Sequence, residues 1–253
     1  MGTTPLRLLA LTLALALSAL LSGCGSSHVQ PPSRNVGTRI DGPIPKSIRD
    51  IPLVDSHGRT RHISDLKGKL VAISPAMTLC QESCPLDTAA VVDTARAVRR
   101  AGLAHKVVFL SITVDPRRDV PAQLAAYRKL YAGPANWLTL TGTPANIHRL
   151  WKYLGVFVKK VPQDTTVRNW RTGKKLTYDV QHSDELFFLD GRGHERFVLE
   201  GMPSVHKSQI PGRLYGFLSS EGRKNIAHPK PTDWTEGQAL HVLGWLLDRR
   251  IPA

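Results

Sequence analysis

Residues 70–114 read LVAISPAMTLCQESCPLDTAAVVDTARAVRRAGLAHKVVFLSITV. The first five residues and the last eight are apolar runs rich in β-branched side chains, the pattern of strands covered on both faces. Between them, Pro85 steers Cys84 away from the helical region and suits the first helical position itself. Leu86, Val91, Ala95 and Val98 follow at helical spacing, and Gly102 is a stop signal. The stretch therefore predicts strand, helix, strand, with the two strands parallel because the helix supplies the crossover. The segment CQESCP at residues 80–85 falls where the helix begins, with Cys84 near its N-cap and Cys80 in the loop that closes over it.

The same alternation continues outward. Residues 51–54, a turn at Asp55-Ser56-His57-Gly58 and residues 62–69 predict a short hairpin ahead of the first buried strand. After it come a helix over 120–131, a strand segment over 137–140 and a helix over 144–154. Residues 186–189 and 196–199 then form a hairpin across Asp190-Gly191-Arg192-Gly193. Thr235 and its neighbours are a capping signal, and Leu240, Leu243, Leu247 and Ile251 give the last helix a core-packing stripe. This is an α/β fold with a central sheet and flanking helices. Residues 158–180, basic and extended, and 202–232, rich in Gly, Pro and Ser, are expected to be insertions. With 253 residues the chain is long enough for one well-packed domain, placed at 47–253.

The N-terminus points to export. Arg7 precedes an uncharged apolar run over residues 8–21, which is short for a bilayer span and suits the core of a signal peptide. It ends in Leu21-Ser22-Gly23-Cys24, which resembles a bacterial lipobox. Residues 1–23 are then a cleaved signal, Cys24 the lipid-modified first residue, and 24–46 a polar tether without apolar periodicity. The alternative is an uncleaved anchor with an incidental cysteine. Either arrangement puts the domain on the extracytoplasmic face of a bacterial membrane. The chain has three cysteines. A lipid on Cys24 leaves Cys80 and Cys84, a pair that an oxidising compartment tends to close into a disulfide unless a reductant or a metal intervenes. The formal charge of +14 is spread over scattered basic pairs rather than one tract. That distribution argues against nucleic acid and for anionic headgroups, an acidic protein partner, or simply a solvated surface.

A thiolate at a helix N-terminus is favoured by the unpaired N–H groups and the helix dipole, so both thiols are expected to ionise readily. Two such sulfurs form a soft anionic pair suited to Cu(I) or zinc, provided a third ligand comes from elsewhere. The chain here resembles the Sco/SenC copper proteins that serve cytochrome c oxidase assembly. The resemblance rests on four features in order: C-x3-C-P after a strand, residues 107–119 ending DPRRD, the run LTLTGTPANIHRLWKYLG at 138–155, and YDVQHS at 178–183 before LFFLD. It implies a thioredoxin-like fold, Cys80, Cys84 and His182 as copper ligands in either oxidation state, and Asp115 near the site. The implied role is a membrane-tethered copper chaperone, with a copper-accepting oxidase subunit or another copper protein as partner.

Asp115 could orient His182 or simply complete the turn before Pro116. Met77 is close enough to be a soft auxiliary ligand, although a core thioether is the simpler role. The chain departs from the family pattern at Gln81, where a proline commonly follows the first cysteine, and at Met77-Thr78-Leu79, where an aromatic lead-in is usual. The main rival is a thiol-disulfide oxidoreductase using Cys80 and Cys84, which the compartment suits but the spacing and His182 do not. Peroxidase chemistry fits poorly, a structural disulfide would close a very small loop, and zinc is chemically open.

Overall fold

The computed structural model describes residues 28–163 and 166–253. The elements in chain order are β1 (Thr38–Pro43), α1 (Lys46–Arg49), β2 (Leu53–Asp55), β3 (Thr60–Arg61), β4 (Leu70–Ala76), α2 (Cys84–Arg100), β5 (Val107–Thr113), α3 (Pro121–Leu130) and β6 (Trp137–Thr141). They continue with α4 (Pro144–Leu154), β7 (Val158–Val161), β8 (Asp179–His182), β9 (Glu185–Leu189), β10 (His194–Glu200), α5 (Gly212–Phe217), α6 (Ser220–Ala227) and α7 (Glu236–Leu247).

An eight-stranded sheet has the order β1-β10-β9-β4-β5-β6-β2-β3. The predicted parallel pairing is present: β4 lies parallel to β5, and β5 to β6, while β9 joins β4 antiparallel. Strand alternation splits the core in two. Leu70 and Ala72 of β4, Phe109 of β5 and Phe188 of β9 face one layer, which α2, α3 and α7 cover with Val91, Tyr127 and Leu243. Val71, Ile73, Leu110, Ile112 and Phe187 face the other, where α1 and α4 supply Ile48, Ile147 and Trp151. Toward the ends of β4 and β5 the interior becomes polar. Ser74 Oγ lies 3.2 Å from Ser111 Oγ, which accepts the Trp137 indole N–H at 3.0 Å.

Two parts of the sequence-based layout change. The segment 24–46 is not wholly a tether, because residues 38–43 form an edge strand on β10 and His28 and Val29 already bind the Asp248 carboxylate. The strand is held by backbone pairing and only partly buried, so no apolar period announces it. Gly37 leads into it where an added Cβ would sit 2.2 Å from the Val198 carbonyl oxygen. Cys24 lies outside the described residues. Within 158–180, the two ends are not free excursion either: β7 and β8 pair antiparallel as a separate ribbon, with Val158 opposite His182. No helix among the described residues is long and apolar enough to cross a membrane.

Phe188, fully buried in β9, should be a keystone of the first layer. Phe188→Ala is expected to cost about 3–5 kcal/mol, seen as a fall in the denaturant midpoint at unchanged slope. A negligible fall would mean the layer repacks freely.

Candidate metal centre

After β4 the chain turns through 77–83 and enters α2 at Cys84, one residue earlier than Pro85 predicts. The first turn of a helix has N–H groups without intrahelical acceptors. Here a sulfur serves two of the donors in this region: the Glu82 and Cys84 N–H groups each point at Cys80 Sγ from 3.4 Å. The four-residue spacing thus lets Cys80 fold back over the start of the helix that carries Cys84. The Ser83 hydroxyl donates instead to Asp184 Oδ1 at 3.1 Å.

His182, at the end of β8, brings its Nε2 to 3.0 Å from Cys84 Sγ. Its Nδ1 faces two acceptors, the Ser183 carbonyl oxygen at 3.0 Å and Asp184 Oδ1 at 3.5 Å. That environment assigns the ring proton to Nδ1 and leaves the Nε2 lone pair aimed at the thiol. The side chain is 2% exposed, so the orientation is fixed by packing as well. Asp184 was not singled out in the sequence, although it stands two residues after His182.

Asp115 does not orient His182. It is ion-paired with Arg118 and accepts the Tyr178 hydroxyl at 2.9 Å. Arg118 also reaches the Tyr178 carbonyl and Met77 Sδ, and Met77 is fully buried, in keeping with a core role. Asp119 does more of the local work. Its carboxylate accepts from the Thr113 hydroxyl and from both the hydroxyl and N–H of Thr78, tying the end of β5 to the loop before Cys80. Burial nevertheless raises Asp119 from 3.8 to about 6, with these hydrogen bonds opposing it. Trp170, from the segment read as an insertion, donates its indole N–H to the Thr78 carbonyl at 2.6 Å.

The 202–232 segment supplies a further support. The Gln81 carbonyl accepts the Ser219 N–H at 2.9 Å and its hydroxyl at 3.2 Å, and Gln81 Nε2 donates to the Phe217 carbonyl. Gly222 of α6 comes so close that an added Cβ would lie 2.3 Å from the Gln81 oxygen. Gln81, one of the positions where the chain departs from the pattern it resembles, is thus gripped by the 202–232 segment.

Both cysteines are free and buried thiols, not a disulfide. The expectation of easy ionisation is reversed. The hydrogen bond to Cys84 and then burial push Cys80 well above the ordinary thiol range, and burial pushes Cys84 up. The helix N–H groups offset only part of this desolvation. Among the described residues no three His, Cys, Asp or Glu side chains are already grouped as a metal cage. The short sulfur–imidazole contact is a thiol-to-lone-pair hydrogen bond. Two soft sulfurs and one imidazole nitrogen nonetheless form a donor set that a soft cation can occupy by displacing thiol protons.

Gly222→Ala should push α6 off Gln81 and raise the alkylation rate of Cys80, with far-UV circular dichroism unchanged; an unaltered rate would show that α6 does not hold the loop. For Asp119, a folded-state value above the unfolded one means that ionisation weakens the fold as pH rises from 3.8 through about 6. The stability difference between wild type and Asp119→Asn should therefore move in the variant's favour over that window, measured by urea unfolding. A pH-independent difference would contradict the buried-carboxyl account.

Comparison with known proteins identifies relatives of this chain. The SCO1/SenC family profile matches residues 46–204. An SCO2-like protein of Rickettsia felis is 27% identical over 158 residues, covering 61% of this chain and 70% of its own. A Stutzerimonas stutzeri protein whose name refers to copper binding is 30% identical over 175 residues, covering 64% and 76%. Among solved structures, apo Sco1 of Thermus thermophilus aligns with a TM-score of 0.51 at 21% identity, covering 81% of this chain and all of that one, which supports the thioredoxin-like fold. With the profile spanning well over half of its length, the chain belongs to the SCO1/SenC family.

Proposed function

We propose that this protein carries copper, binding one ion through Cys80 Sγ, Cys84 Sγ and His182 Nε2 and passing it to a copper-accepting subunit of a respiratory cytochrome c oxidase. The observation that carries the reading is the 3.0 Å contact between Cys84 Sγ and His182 Nε2, with Cys80 folded over the same helix start. Thiolate sulfur and neutral imidazole suit Cu(I), and the same set can hold Cu(II) with a thiolate-to-metal absorption. The copper-related name of the Stutzerimonas stutzeri relative supports the choice of metal. A lipid on Cys24 would keep the domain at the extracytoplasmic face of the membrane.

Each residue has a separate task. The contacts of His182 Nδ1 with the Ser183 carbonyl and Asp184 hold the ring in place and keep Nε2 free to act as ligand. The buried thiols release their protons only as metal arrives, so uptake is linked to proton release and weakens as pH falls. Transfer by stepwise ligand exchange would start at His182, which sits on a ribbon rather than in the main sheet. A thiol-disulfide exchange role is disfavoured, because buried thiols with raised pKa are slow nucleophiles.

Copper titration of the reduced protein tests the assignment. Wild type should bind one equivalent; Cys80→Ser and Cys84→Ser should lose tight Cu(I) binding; His182→Ala should weaken it and alter the Cu(II)–thiolate band. Asp184→Asn should lower affinity by about 10–100-fold. Identical behaviour of His182→Ala and wild type in both oxidation states would remove His182 from the site.

A further inference from the structure

Beside the ribbon that carries His182 lies an apolar groove of about 560 Å³ between α4 and β7–β8. Its floor is built from Val114, Ile147, Trp151, Val156 and Val180, all buried core side chains. Its lip is Phe157 and Val158, 55% and 38% exposed. These are two of the four large hydrophobic side chains exposed among the described residues. Leaving two such groups in water beside an apolar floor marks a contact surface.

The charge around the groove has one sign. Arg117, Lys152 and Lys160 stand on its rim. Asp115 is the one acidic residue lining it, and that carboxylate is already engaged by Arg118 and Tyr178. A cationic rim around an apolar floor is complementary to an acidic chain carrying an apolar anchor. A lipid surface fits less well: the cavity is concave and sized for a side chain, whereas a bilayer presents a broad face.

The location bears on metal handling. Val180 lines the groove, and His182 is two residues further along the same strand, so both project to one side of the ribbon. Val158 at the lip is paired directly with His182. Whatever fills the groove leans on the two strands that present the imidazole to Cys84.

We infer that this groove docks an acidic polypeptide segment with an apolar side chain, supplied by the protein that receives the metal. The identity of the recipient rests on the copper-carrier reading above; the charge and shape of the segment do not. Docking would place the recipient beside His182, the proposed ligand on that ribbon.

The test is fluorescence anisotropy of the full chain with a fluorescein-labelled Asp-Glu-Phe-Asp-Glu peptide, its Asp-Glu-Gly-Asp-Glu analogue, and phosphatidylglycerol vesicles as a lipid control. The Phe peptide should bind saturably and more weakly at high salt. The double substitution Arg117→Glu and Lys152→Glu should weaken it by at least about tenfold, as should replacing its Phe by Gly; Phe157→Ser is a milder second variant. Absence of saturable binding, or equal binding to all variants, overturns the proposal. Groove-dependent binding of vesicles without the peptide overturns it in favour of a lipid surface. Cu(I) titration of the same samples separates the two readings. Intact copper uptake with no peptide binding removes the docking site alone. Groove-dependent peptide binding without copper uptake removes the copper carrier and supports docking of the acidic segment itself.

Discussion

The contact between Cys84 Sγ and His182 Nε2 joins residues 98 positions apart in sequence, and much of the surrounding structure serves to make it possible. One partner sits at the first turn of a helix, where a strand in the sheet centre delivers it. The other sits at the end of a two-stranded ribbon outside the sheet. A hydrogen bond of this kind is worth only about a kcal/mol net, so it cannot draw the two segments together. They are positioned instead by two packed core layers and by the polar ties beneath the loop.

Those ties constrain the cysteine loop through groups other than the proposed ligands. Asp119 holds Thr78, Trp170 holds the Thr78 carbonyl, and Ser219 holds the Gln81 carbonyl. Each grips the backbone or a neighbour of the cysteine loop, and none is one of the three proposed donor side chains. The sulfurs and the imidazole therefore remain available for exchange while the chain between them is constrained. Burial adds a second safeguard, since neutral thiols are poor targets for oxidants.

Periodicity made the sheet legible. The apolar runs at 70–74 and 107–114, the helix opened by Pro85 and the helix over 144–154 all stand where side-chain pattern alone places them, because each buries a regular face. The edge strand at 38–43 was not legible, since backbone pairing leaves no mark on composition. Within the site, C-x3-C announced itself, while His182 could be selected from ten histidines only by resemblance. Asp184 and Asp119 stand near recognised motifs, but their roles depend on which way a side chain turns. The grip of Phe217 and Ser219 on Gln81 was beyond reach, being made across 136 and 138 positions by a segment whose composition signals only turns.

The binding of His28 and Val29 to Asp248 fixes the chain, at the C-terminal end of α7, far earlier than a free tether over 24–46 would. With a lipid at Cys24, the link to His28 can span at most about 14 Å when fully stretched. That is only about twice the ~5–8 Å depth of one headgroup layer, so the domain would stay close to the membrane surface rather than swing far above it. The end of α7, with Arg249 and Arg250 beyond it, would form its underside. The protein would then search for its partner by lateral diffusion in two dimensions, within a narrow range of heights.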